Sequence, residues 1–174
     1  MANHYADIRR LYEPQECRAN TGAAGAGMRD PLIRLSVPGV PVAQPRQRHR
    51  AFVVGGQARV QNYTPATHPV QSFKALLALT ARKAWKKAPL EGPLRVEVTF
   101  LFPLPASTKA SVRKQVEAGV WVPHITKPDA DNCIKAVKDG LNGILWQDDK
   151  LISEGVWRKG YGQVPGVEIA VWAL

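Results

Sequence analysis

Cysteine is nearly missing from this chain: its 174 residues contain two, Cys17 and Cys133. Two such residues make neither a disulfide framework nor a cysteine-ligated zinc site, and a reducing, cytoplasmic setting is expected. No apolar run reaches the roughly 20 residues needed to cross a bilayer, so a soluble protein with no membrane partner is expected although 45% of its residues are hydrophobic. The opening stretch MANHYADIRRLYEPQEC lacks a basic segment followed by an apolar one and a small-residue cleavage site, so it does not read as a secretory leader. Internal repeats and a glycine-rich phosphate loop of the form GxxxxGK[ST] are absent too, which argues against repeat architectures and P-loop nucleotide enzymes.

Acidic residues are also scarce, 14 Asp and Glu against 24 Lys and Arg, for a net charge of +10. Residues 1–27 hold three of each sign, residues 28–126 hold 15 basic against four acidic, residues 127–160 hold six of each, and residues 161–174 hold one Glu. Nearly all the positive excess therefore precedes one aspartate-rich stretch, KPDADNCIKAVKDGLNGILWQDDK, with Asp129, Asp131, Asp139, Asp148 and Asp149. A basic body around a compact acidic centre suits a polyanion partner with metal ions at the centre. A basic surface that only aids solubility is the plainer explanation.

Length sets one domain as the expectation. Residues 1–27 end in NTGAAGAG, a tract too small and flexible to build a core, and read as an extension to a domain over residues 28–174. LIRLSVPG alternates like a strand and stops at Pro38-Gly39, and the segment from Val42 to Pro65 is a basic hairpin or loop around Gly55-Gly56. Residues 69–87 repeat Val70, Phe73, Leu77 and Ala81 at helical spacing behind Pro69. A strand follows, with Val96, Val98, Phe100 and Phe102 on one face. Ser107 or Thr108 is placed to cap a short helix ending near Ala118 and Gly119. Another helix starts near Asp129 or Asp131 and stops at Gly143. Two last strands, LISEGVWRKG and VEIAVWAL, flank a hairpin-like link at YGQVPG. Strands before and after helices favour an α+β domain, a mixed β-sheet with helices packed on it.

Asp129 and Asp131 sit where a helix begins, so capping by itself accounts for either. Lys135 lies four residues beyond Asp131, on the same helix face, where an ion pair is the plain expectation. Asp139, one turn further, is expected to pair with Lys135 or a neighbour of Lys138. If GILWQDD folds back along the helix, Asp149 joins Asp129 and Asp131, and three carboxylates converge. Their mutual repulsion is relieved by a hard divalent cation, most plausibly Mg2+, which also activates water and polarises a phosphoryl oxygen. Lys135 then has a role in orienting water or balancing transition-state charge. His124 is either a phosphate contact or base, or a structural or solvated turn residue. Cys133 and Ile134 are expected to pack inward or against a partner helix, and Trp146 is expected in the core. Arg46, Arg48 and Arg50, at two-residue spacing with no compensating acid, are expected to contact DNA phosphates along one edge, with Lys127 beside the cluster as a further contact.

The stretch DADNCIKAVKDGLNGILWQDDKLI resembles the signature of the RusA family of Holliday junction resolvases, D-x-D-N-x-x-K followed by a helix with an inner Asp and an apolar-aromatic step into Asp-Asp. HITKP, RKGYG, PGVEI, VPGVPVAQPRQR and NYTP add to the resemblance, which spans roughly residues 32–171. It implies a RusA-like fold and a dimeric, Mg2+-dependent endonuclease that nicks four-way junction DNA symmetrically in recombination and repair. By position it implies Asp129, Asp131 and Asp149 as essential carboxylates and metal ligands and Lys135 as the catalytic lysine, with Asp148 competing with Asp149. The basic segment around Arg46 departs from the better-known relative. A homodimer is expected, and Ile134, Val137, Leu141, Ile144 and Leu145 exceed what a short surface helix needs, so some are expected at its interface. The alternatives are a non-catalytic DNA-binding protein, whose aspartates only cap and pair, and a metal-dependent nuclease for other branched nucleic acids.

Overall fold

Alternation decides the central strand. In LRVEVTFLF, Leu94, Val96, Val98, Phe100 and Phe102 are all buried, while the residues between them are partly exposed, so Leu94–Phe102 (β4) turns every second side chain to one face. In the computed structural model, which describes residues 30–46 and 48–174, β4 sits at the middle of a five-stranded sheet. The expected extension over residues 1–27, Cys17 included, lies outside the described residues.

The other strands are Ile33–Pro38 (β1), Val122–Pro123 (β5), Ile152–Tyr161 (β6) and Gly166–Ala173 (β7), in the order β1-β7-β4-β6-β5. All neighbours are antiparallel except β4 and β6, which run parallel. A parallel pair needs a long crossover, here supplied by helix Ala110–Glu117 (α2), β5 and helix Ala130–Leu141 (α3). The mixed sheet and its helices match the α+β expectation.

Helix Pro69–Ala84 (α1) and α3 share a core with the sheet: Val70, Phe73, Leu77 and Ala81 from α1, and Cys133, Ile134, Ala136, Val137 and Leu141 from α3, join the buried side chains of β1, β4 and β7. Trp146 is fully buried in the same cluster, as expected. At the crossing of the two helices stands Gly140. A β-carbon there would lie 3.2 Å from Leu77 Cδ1 and 3.3 Å from Lys74 Cγ, so the absence of a side chain sets how closely α1 and α3 approach.

Several expectations change. α1 ends at Ala84, short of Lys87, because Trp85 leaves the helix and its indole N–H donates to Ala88 O, turning the chain toward Pro89. α2 begins at Ala110 behind Lys109, with no side-chain cap; Thr108 is used earlier, its N–H closing a turn onto Pro105 O. β6 and β7 are not hairpin partners, since β4 lies between them and the YGQVPG link crosses its end. Asp139 pairs with Lys74 of α1 at 2.9 Å, and not with its own helix. Ile134, Val137, Leu141 and Leu145 are all in the core of one chain, which removes them as interface residues, while Ile144 is half-buried against that core.

Residues 48–63 form a separate hairpin, Arg48–Val54 (β2) against Gln57–Tyr63 (β3), closed by Gly55-Gly56. Both glycines have positive φ, 58° and 78°, the backbone that a two-residue hairpin turn of matching twist requires.

Candidate active site

α3 begins at an aspartate that does not cap it. Asp129 has the extended backbone of an N-cap residue, yet its carboxylate accepts no hydrogen bond from the first turn. Asp131, in that first turn, is exposed, and so is Lys135 one turn later. No ion pair joins Asp131 to Lys135, and neither Asp129 nor Asp131 has a salt bridge among the described residues. Neither a side-chain cap by Asp129 nor a surface ion pair accounts for these residues among the described residues. Two carboxylates stand unpartnered at a helix end whose free amides favour negative charge.

The loop leading into Asp129 is held by a residue that sequence reasoning did not single out. Lys159, near the end of β6, donates from Nζ to Thr126 O at 3.0 Å and to Pro128 O at 2.6 Å, on either side of Lys127. RKGYG carried no periodic or acidic signal that would distinguish Lys159 from Arg158. Its role depends on the sheet bringing residue 159 under residue 128. His124 lies under the same loop, 8% exposed, stacked on Phe102 with ring centroids 4.1 Å apart and tilted against Tyr161. Its Nε2 is 3.3 Å from Thr126 Oγ1, and Nδ1 is buried without a partner. Burial, and then the Lys159 charge, push its pKa below the ordinary histidine value. Its ring packs beneath the site, between Phe102 and Tyr161. Cys133, one turn into α3, is buried, and burial raises its thiol to about 11, which leaves it unreactive.

Asp148 and Asp149 separate cleanly. Asp148 caps the 3-10 turn Asp149–Leu151, accepting from Lys150 N at 3.0 Å, and its other oxygen lies 3.6 Å from Lys150 Nζ. The hydrogen bond from the Lys150 amide holds its pKa below the usual carboxylate value. Among the described residues Asp149 makes no such contact.

Asp149 does not, however, return to the start of α3. The turn after α3 is closed by Gly143 N to Trp146 O at 2.8 Å and Leu145 N to Leu141 O at 3.0 Å, and Asp149 follows three residues later. β6 then runs from Ile152 to Lys159, about 23 Å of extended chain, before it reaches the loop at Pro128. Asp149 therefore lies toward the far end of α3, and no group of three or more His, Cys, Asp or Glu residues suited to a metal ion occurs among the described residues. The expected convergence of three carboxylates does not occur within one chain.

Arg46 is brought toward the acidic pair. Gln44 N donates to Asn132 O at 2.9 Å, and Gln44 Nε2 lies 3.4 Å from Thr64 Oγ1, so both roots of the β2–β3 hairpin are tied beside the first turn of α3. Arg46 is exposed two residues on, Arg50 is exposed on β2, and Lys127 is exposed beside Pro128. Arg48 occupies a β2 position in register with Tyr63, two residues from Arg50 and hence on the same face; its side chain lies outside the described residues.

Residues 38–172 match the family model described as endodeoxyribonuclease RusA, which takes in both acidic poles, Lys135, Lys159 and the hairpin. The chain belongs to the RusA endodeoxyribonuclease family. This RusA-family chain is also 32% identical over 141 residues to the uncharacterized protein YqaN of Bacillus subtilis (strain 168), covering 80% of its own length and 94% of that protein. Nucleases of the RusA family depend in general on divalent metal ions. The donor set at α3 fits such an ion in chemistry: Mg2+ takes hard oxygen ligands and is commonly held by one or two carboxylates with water and substrate phosphate completing its shell. Asp129 and Asp131 supply two oxygen-donor side chains with no ion-pair or capping partner among the described residues. No helix among the described residues is long and apolar enough to cross a membrane.

Proposed function

We propose that this RusA-family endonuclease is a Mg2+-dependent Holliday junction resolvase, acting as a homodimer that places one site on each of two opposed strands. The observation that carries the reading is the pair Asp129 and Asp131, unpartnered at the start of α3 and beside the roots of a basic hairpin. A carboxylate pair alone would repel a phosphodiester, and a basic surface alone would bind one without cutting it. Together they suit phosphoryl hydrolysis.

In this mechanism Asp129 and Asp131 would hold the metal ion. When bound, Mg2+ supplies an activated water and a polarised phosphoryl oxygen. Lys135, one turn further along the exposed side of α3, balances the charge that builds on the phosphate. Asp149 is the third carboxylate that the family resemblance implies as essential, although within one chain it stands apart from Asp129 and Asp131. Arg46, Arg48, Arg50 and Lys127 hold the flanking phosphates, which positions the scissile bond without reading sequence. The two-fold symmetry of a four-way junction suits an isologous dimer, with paired symmetric nicks as the outcome.

The test is cleavage of a synthetic mobile four-way junction and of linear duplex, with and without Mg2+. Junction-selective, Mg2+-dependent cutting is expected, and Asp131→Asn is expected to bind the junction and leave it intact. Mg2+-dependent cutting of linear duplex at an equal rate would show a general nuclease instead. Junction binding with no turnover in any divalent ion would leave a non-catalytic DNA-binding protein.

A further inference from the structure

The sheet order leaves one strand edge open. β6 is paired with β4 on one side, but on the other β5 covers Tyr161 and Gly160 and His124 N donates to Lys159 O at 3.1 Å, so residues 152–158 present an edge with no strand beside it among the described residues. Exposed strand edges are ordinarily short, charged or covered, because they recruit further strands. This one carries Val156 at 52% and Trp157 at 39% exposure in its middle.

Its charges are self-complementary. In an antiparallel pair of two copies centred on Val156, Glu154 of one copy lies opposite Arg158 of the other, and the two-fold axis makes that contact twice. Gly155 lies opposite Trp157. Within each copy the Trp157 indole lies over its own Gly155, in the space a β-carbon there would take. Within one chain the same two charges have loose, exposed attachments: Glu154 is 3.8 Å from Arg95, and Arg158 Nε lies 3.1 Å from Thr99 Oγ1 with its guanidinium over Trp121. Beyond Arg158 the edge is closed by β5, which limits the pairing to residues 154–158. The opposite edge of the sheet, β1, offers no such match. Its one charge is Arg34, and its alternate residues Ile33, Leu35 and Val37 are buried in the core.

We propose that the β6 edge, residues Glu154–Arg158, is the dimer interface, pairing antiparallel with the same residues of a second copy to continue the sheet across the two-fold axis. The inference rests on the homodimer proposed above. It replaces the α3 residues, which the core of one chain has consumed.

Charge reversal tests it by sedimentation or light scattering across a concentration series, with thermal melting as the control for folding. Wild-type protein is expected to dimerise. Glu154→Arg and Arg158→Glu each set like charges opposite one another at two positions, and each is expected to raise the dimer dissociation constant by about tenfold or more. The double variant E154R/R158E restores opposite charges and is expected to recover the dimer. A dimeric wild type with both single variants equally dimeric overturns the β6 interface and leaves the dimeric reading standing. A wild type that stays monomeric, alone and on junction DNA, overturns both.

Discussion

At the scale of single residues, the acidic pair depends on how its loop is held. Lys159 bonds two carbonyls of residues 126–128, so its loss frees the approach to Asp129 without touching either carboxylate. Lys159→Met keeps the aliphatic stem and removes the ammonium. Cleavage is expected to fall about 10- to 100-fold, as for residues that orient metal ligands, with a higher Mg2+ requirement and junction binding retained in the absence of metal. Lys159→Arg is expected to recover part of the rate. Wild-type rate and Mg2+ dependence in Lys159→Met would show that the contact is incidental. His124 gives a pH signature. Its pKa is lowered in the folded state, first by burial and then by Lys159, so the unfolded chain takes up a proton more readily. The stability it contributes is complete above the ordinary value of 6.5 and is lost as pH falls below it toward the folded value. Melting temperature is expected to drop from pH 7 to pH 5, and His124→Gln is expected to flatten that drop. An unchanged slope in His124→Gln would assign the acid sensitivity elsewhere.

At the scale of elements, the β2–β3 hairpin and the α1–α3 crossing make separate demands. The hairpin packs on no other strand, and its exposed arginines make no salt bridge among the described residues. On the proposed role of this ribbon in holding phosphates, replacing Arg46, Arg48 and Arg50 together by Ala is expected to weaken junction binding and reduce its salt dependence. Each lost contact removes about one counterion from the slope, and an unchanged slope would return the hairpin to a solvated role. At the crossing, two effects compete at Gly140. Alanine gains about 1 kcal/mol of helix propensity, but its β-carbon enters contacts of 3.2 and 3.3 Å. Gly140→Ala is expected to be near neutral. Gly140→Val, larger and β-branched, is expected to destabilise by about 1–3 kcal/mol through overpacking, measured by denaturant unfolding.

At the scale of the whole molecule, one chain carries an acidic pair at the start of α3 and Asp149 toward the far end, and one chain cannot cut two strands at once. A supercoiled plasmid that extrudes a cruciform is therefore expected to be linearised by paired nicks within one binding event. Singly nicked circles as the only product would rule out coordinated resolution while leaving metal-dependent nicking intact.

The sequence by itself determined what depends on neighbours along the chain. Period-two alternation marked β4 and its buried face, 3.6-residue spacing marked α1 and the inward side of α3, and Gly55-Gly56 marked the hairpin turn, because local backbone geometry alone decides which side chains share a face. The same stretch placed Asp129, Asp131 and Lys135 on one helix. Only the tertiary structure decided what joins distant segments. Asp139 found Lys74, Lys159 reached the carbonyls before Asp129, Asp148 and not Asp149 was spent on a cap, and β4 came between β6 and β7. Apolar residues of α3 that read as a surplus were needed for the core, because α1 and the strands β1, β4 and β7 share that core with the helix from sides no local pattern reveals. Such contacts arise from strand order and helix crossing, and those follow from how the whole chain buries its apolar surface.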